Sequence, residues 1–79
     1  MWVYLLQCLP YPKQRYIGVA EQVEERLAAH NAGKSKFTSK YKPWKVVVAV
    51  HFDEDRKAFA FEQYLKSGSG HAFARRHLW

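Results

Sequence analysis

Among the seven acidic residues of this 79-residue chain, Glu62 is the one without an evident structural duty. The other six fall in two clusters, Glu21, Glu24, Glu25 and Asp53, Glu54, Asp55, each opening a segment that reads as a helix. Acids there accept from free N–H groups and favour the helix dipole. On a helical wheel Ala58, Phe61 and Leu65 form an apolar stripe, with Glu62 at its edge. A carboxylate beside buried surface is costly unless it is paired, hydrogen-bonded or bound to a cation. Arg26 and His30 are four residues apart, so they share a helix face, and that face adjoins a second stripe marked by Val23 and Leu27. Tyr4 and Tyr16 fall in two segments that read as strands. One carboxylate holding a divalent cation, with an Arg opposite, can neutralise a phosphate in transfer. Each residue alone also has a structural account: an outward or ion-paired Glu, a hydrogen-bonded core His, an Arg in an ion pair, a Tyr that packs well in a strand.

The elements that must position these groups follow from periodicity and breakers. Residues 2–8 are aromatic, β-branched and apolar, and read as a strand; Pro10 and Pro12 force a turn; residues 15–19 read as a second strand, closing a hairpin. Glu21 to Asn31 reads as a helix stopped by Gly33. A lysine-rich connection with Pro43 leads to a third strand, Val46 to Phe52, apolar enough to be central. Asp53 to Lys66 reads as a second helix, Ser67-Gly68-Ser69-Gly70 as a break, and His71 to Leu78 as a short third helix. The order β-β-α-β-α-α predicts an α+β fold. A small antiparallel or mixed three-stranded sheet is covered by helices, in one domain over residues 1–79. Tyr4 and Tyr16 are both even-numbered, so an even-sum hairpin register places them on one face.

Composition bounds the partner. Thirteen Lys and Arg against seven Asp and Glu give a net charge of +6, and residues 1–20 and 27–52 contain no acid at all. Lys34, Lys36, Lys40, Lys42 and Lys45 crowd the connection, interleaved with Phe37, Tyr41 and Trp44, while Arg75 and Arg76 lie near the C-terminus. Bases with aromatics between them suit a nucleic acid, though a solvated lysine loop reads equally well from charge alone. One cysteine, Cys8, excludes an internal disulfide and a cysteine-held zinc, and no disulfide-linked partner is expected. No apolar run reaches the roughly 20 residues of a membrane span, and the start lacks the features of a signal peptide, so a cytoplasmic protein is expected.

The ordered set of motifs resembles the GIY-YIG nuclease superfamily. Val3-Tyr4 followed by Tyr16-Ile17-Gly18 looks like its paired motif, and Arg26-Leu27-Ala28-Ala29-His30-Asn31 resembles its helix signature. Thr38 and Pro43-Trp44 resemble its loop before the third strand; Glu62 followed by Leu65-Lys66 resembles its metal-binding helix. The ending Lys66 to Gly70 looks like the small standalone bacterial members, similar to the nuclease domain of the excision-repair endonuclease. The resemblance implies a DNA endonuclease in which Glu62 holds one Mg²⁺ or Mn²⁺ and Tyr16 activates water. It further implies that Tyr4 hydrogen-bonds in the same site, Arg26 steadies the phosphate and His30 completes the cluster. A nearby cation and Arg would favour a tyrosine's phenolate over its usual pKa near 10.

Three features depart from that pattern. Trp2 and Val3 replace the first Gly and Ile of the paired motif, Val19-Ala20 stand where a lysine is often found, and Ala74 stands near an expected Asn. The last departure implies a missing polar group in the wall of the site, to be restored by Ala74→Asn. Two other readings share the fold: a nucleic-acid-binding module with weak or no cleavage that uses the lysine loop alone, and a protein-interaction module.

Overall fold

The computed structural model describes residues 1–79. The chain forms strand β1 (Trp2–Cys8), strand β2 (Arg15–Ala20), helix α1 (Val23–Asn31), a single 3₁₀ turn (Thr38–Lys40), strand β3 (Trp44–His51), helix α2 (Asp55–Leu65) and helix α3 (Gly68–His77). The α+β order read from the sequence is the order observed.

The sheet is wholly antiparallel, ordered β2-β1-β3. The central strand is therefore β1 and not the valine-rich β3. In β1 the run Val3, Tyr4, Leu5, Leu6 is fully buried on both faces, while β3 is half-buried along most of its length. A run of valines signals burial, but it does not say how many strands lie beside it.

Alternation along β1 divides the core in two. Val3 and Leu5 pack with Ala58 and Leu65 of α2 and Ala74 of α3. Tyr4, Leu6 and Cys8 pack on the other face with Ala20 and Trp44, and Val23 and Leu27 of α1 close that layer. Helices thus cover both faces. The pairing of β1 with β3 shifts register between Leu5 and Leu6. This irregularity lets Trp44, Val46 and Ala49 all serve the Tyr4 face despite their mixed parity.

The helix ends differ from the sequence expectation. α1 begins at Val23 and α2 at Asp55, and neither N-cap, Gln22 or Glu54, makes a side-chain cap bond. The acidic clusters there favour the helix dipole, and Glu54 also accepts from Arg56 at 3.4 Å. α1 ends as expected: Gly33 has φ 79°, with Gly33 N–H donating to His30 O and Lys34 N–H to Ala29 O. α3 begins at Gly68, not His71, because Ser67 is its N-cap and accepts from Gly70 N–H at 3.3 Å. The Ser-Gly-Ser-Gly stretch ends α2 and supplies the first turn of α3. Gly70 fits there because a Cβ would strike the Tyr64 carbonyl of the preceding helix.

Candidate active site

The hairpin brings the two tyrosines together. Tyr4 pairs with Gly18 and Leu6 with Tyr16, an even-sum register, so both rings lie on the α1 face with centroids 6.2 Å apart. The glycine between them is sterically required. A Cβ on Gly18 would lie 2.5 Å from the Tyr4 hydroxyl oxygen and 2.9 Å from the Tyr16 ring.

α1 delivers the next two groups. His30 is buried, with Nε2 3.0 Å from the Tyr4 hydroxyl and Nδ1 2.7 Å from Thr38 Oγ1; its ring lies 4.8 Å from that of Tyr16. Thr38, itself buried, accepts through its carbonyl from Trp44 Nε1 at 2.9 Å. Asn31 pins the end of α1 to β3, accepting from Trp44 N–H at 2.6 Å and donating to its carbonyl at 3.2 Å. No buried side-chain polar atom is left unpartnered. Burial raises the Tyr4 pKa, and the Arg26 guanidinium beside its hydroxyl opposes that rise. Tyr4 is therefore a neutral phenol at neutral pH, whereas an adjacent Arg alone would favour phenolate. His30 faces a hydroxyl at each ring nitrogen, Tyr4 at Nε2 and Thr38 at Nδ1, and a neutral imidazole donates through one and accepts through the other.

Burial, and then the charge of Arg26, lowers the His30 pKa. The unfolded chain takes up a proton at this residue near pH 6.5 that the folded chain refuses, so stability holds above that pH and falls below it. Melting temperature measured from pH 8 to pH 5 is expected to drop, and His30→Gln to flatten the drop. Equal pH slopes in both proteins would place His30 outside this network.

Glu62 reaches the site from the opposite layer. Its side chain is 12% exposed; Oε2 lies 2.5 Å from Lys66 Nζ and Oε1 accepts from Gln63 Nε2 at 2.9 Å. Its charge is close enough to contribute to the raised pKa of Tyr4. Lys66 in turn lines a cleft of about 340 Å³ with Arg15, Tyr16, Ile17 and Phe37. The ion pair therefore stands beside Tyr16, with Lys66 half exposed and Glu62 largely covered.

No group of three or more His, Cys, Asp or Glu is placed to hold a metal ion. Glu62 fits Mg²⁺ or Mn²⁺ only as a single carboxylate, with water and phosphate completing the shell once Lys66 has left. A small hard cation accepts such a donor set.

The bases divide. Lys34 shares a hollow with Arg26 and His30, and Lys36 and Lys40 flank Phe37 and Tyr41. Lys42 extends toward Gly33. Lys45 alternates with the buried Trp44 and so points to the other face of the sheet. Arg75 and Arg76 line a separate hollow on α3 with Phe73 and His77. Sequence reasoning passed over Lys66 as a site residue, although its i,i+4 spacing from Glu62 signalled a pair.

Ala74 corrects an expectation. It is fully buried against Val3, Leu5, Ala58 and Leu65, in the apolar layer rather than in the wall of the site. Ala74→Asn would bury an amide without a partner. It is expected to cost about 2–4 kcal/mol and lower the melting temperature without restoring any function. A stable, more active variant would reverse this placement.

Comparison with known proteins identifies the family. A family model described as the GIY-YIG catalytic domain matches residues 1–75. The UPF0213 protein YsiG of Lactococcus lactis subsp. lactis is 38% identical over 66 residues, covering 82% of this chain and 62% of the relative. The structure-specific endonuclease subunit SLX1 of Candida dubliniensis is 36% identical over 84 residues, 96% of this chain and 28% of the relative. That of Xenopus laevis is 42% identical over 67 residues, 76% of this chain and 24% of the relative. The chain thus spans less than two thirds of the length of these curated relatives. No solved structure matches it significantly. The tyrosine hairpin, the Arg26–His30 helix and the Glu62 helix all lie within the matched span, and the chain belongs to the GIY-YIG family.

Proposed function

We propose that this chain is a metal-dependent DNA endonuclease that hydrolyses phosphodiester bonds. The observation that supports it best is the meeting of Tyr4, Tyr16, Arg26 and His30 from one layer with the Glu62 carboxylate from the other. A binding surface needs no carboxylate beside its cations.

In this reading the Tyr16 oxygen, its own proton first given to solvent, takes a proton from the attacking water as the water oxygen bonds to phosphorus and the sugar oxygen leaves, to be protonated by solvent. Tyr16 is half-buried and borders the cleft, so substrate can reach it. Arg26, exposed at its outer end, neutralises the phosphate. Tyr4 stays a neutral phenol, held by His30 and Thr38, and orients the reacting groups. Glu62 would hold the divalent cation, which supplies Lewis-acid polarisation of the scissile phosphate. Lys66, once displaced from Glu62, remains as a cation at the cleft. Lys34, Lys36 and Lys40 hold the DNA backbone nearest the site, with Lys42 farther along; Lys45, on the other face of the sheet, and Arg75 and Arg76, on α3, would serve only a strand that also crosses those surfaces. The setting is the cytoplasm; no helix is long and apolar enough to cross a membrane.

Incubation with nicked, branched and plain duplex DNA, with Mg²⁺ or Mn²⁺ and with chelator, tests the reading. Cleavage that needs the cation supports it. Binding is expected to weaken with salt by a log–log slope of about 0.9 per phosphate contact on duplex DNA. Binding without cleavage under every condition would leave a nucleic-acid-binding module. Absence of binding would overturn both.

A further inference from the structure

Aromatic rings run outward from the site in an unbroken series. Tyr16 stacks on Phe37 with centroids 6.3 Å apart and planes 28° from parallel. Phe37 meets Tyr41 at 6.2 Å, and Tyr41 meets Tyr11 at 5.9 Å. The rings come from three separate segments: β2, the connection after α1, and the turn between β1 and β2. Tyr16 and Tyr41 are half-buried against the Tyr4 layer, but Phe37 is 51% exposed and Tyr11 58% exposed, so core packing does not explain these two rings. Isolated exposed rings are ordinary, but a contiguous series ending at a catalytic cleft is not.

The surroundings say what would lie on it. Lys36 and Lys40 line the hollow formed by Phe37 and Tyr41. Every ring of the series falls in residues 1–20 or 27–52, the two stretches that hold no acid. The occupant is therefore polyanionic and has flat faces to stack. The ring spacing of about 6 Å is nearly twice the roughly 3.4 Å rise of a duplex strand, whose base faces are hidden in any case. Stacking of bases on exposed rings beside a cationic groove is how single strands are held.

We infer that Phe37, Tyr41 and Tyr11 form a stacking track for the unpaired bases of a DNA strand leading to or from the phosphate at Tyr16. This inference rests on DNA being the substrate. It adds that the strand is taken up unpaired on one flank of the cut.

The test measures binding in chelator, where no cleavage intrudes. A labelled single-stranded oligonucleotide and a duplex of the same sequence are titrated with the parent protein, Phe37→Leu and Tyr11→Ala. Both side chains are more than half exposed, so folding should survive, as circular dichroism would verify; Phe37→Trp serves as a conservative control. Each loss of a ring is expected to weaken single-strand binding about 5-fold or more and to leave duplex binding within about 2-fold. Phe37→Trp is expected to bind like the parent. Abasic nucleotides in the oligonucleotide should weaken binding to the parent and leave binding to a protein that combines Phe37→Leu with Tyr11→Ala unchanged. Equal losses on both DNAs, no loss on either, or tighter binding of an acidic peptide or of RNA would overturn the track.

The two proposals fail separately. A parent that binds single strands through the rings yet never cuts DNA overturns the nuclease reading alone. A parent that cuts DNA while both variants bind single strands normally overturns the track alone.

Discussion

Glu62→Gln is expected to bind DNA and leave it intact. The substitution keeps the shape of the side chain and both of its polar ends, so the layer around Ala58 and Leu65 loses no volume. It removes the carboxylate proposed to hold the divalent cation beside the tyrosines. It also frees Lys66, which now bonds Glu62 at 2.5 Å. One negative charge disappears and one cation becomes available to phosphate, so affinity should rise slightly while cleavage falls by at least the effect of losing the base. For Tyr16→Phe that effect is about 10²-fold or more, the usual contribution of general base catalysis. Folding should survive in both variants, since neither opens a cavity. The measurements are single-turnover cleavage of a nicked duplex and salt-dependent binding of the same DNA. Cleavage unchanged in both variants, in protein free of contaminating nuclease, would refute the assignment. Cleavage lost in Tyr16→Phe but retained in Glu62→Gln would keep the base and remove Glu62 as the cation's ligand.

How much of this site could be read from the chain depends on the range of the interaction involved. Parity placed Tyr4 and Tyr16 on one face because strand side chains alternate with a fixed period of two. The i,i+4 relation placed Arg26 and His30 together for an equally local reason. The central place of β1 was not legible, because it depends on which strands pair, and pairing is non-local. Ala74 was misread for a related cause: counting residues from Glu62 crosses Ser67, where α2 ends and α3 starts on a new axis. Arg75 and Arg76, set apart from the lysine connection in the sequence, also stand apart in the fold, in their own hollow on α3. Thr38 is the most instructive residue. A lone threonine in a polar loop carries no sign of burial, yet it is the partner of His30 Nδ1 and so holds the ring that meets the Tyr4 hydroxyl.

Gly18→Ala should be nearly as damaging as the loss of a catalytic group, although Gly18 does no chemistry. The added methyl would sit 2.5 Å from the Tyr4 hydroxyl oxygen, 2.6 Å from Tyr4 Cζ and 2.9 Å from the Tyr16 ring. Tyr4 has nowhere to go. It is fully buried, packed with Leu6, Cys8 and Trp44, and its hydroxyl is bonded to His30. Tyr16 is half-buried and can swing toward the cleft, but doing so moves the proposed base away from its place. Overpacking of this kind costs about 1–3 kcal/mol, and each kcal/mol lowers the melting temperature of a domain this small by about 4–8 °C. A displacement of about 1 Å at reacting groups can reduce rate by 10²-fold, so cleavage should fall that far even where the protein stays folded. Adding Tyr4→Phe would relieve the contact with the oxygen but not the one with Cζ, so the double variant should recover only part of the stability and none of the activity. Thermal melts and single-turnover cleavage on the two variants separate these effects. A Gly18→Ala protein that melts and cleaves like the parent would show that the two rings do not pack over this strand as described.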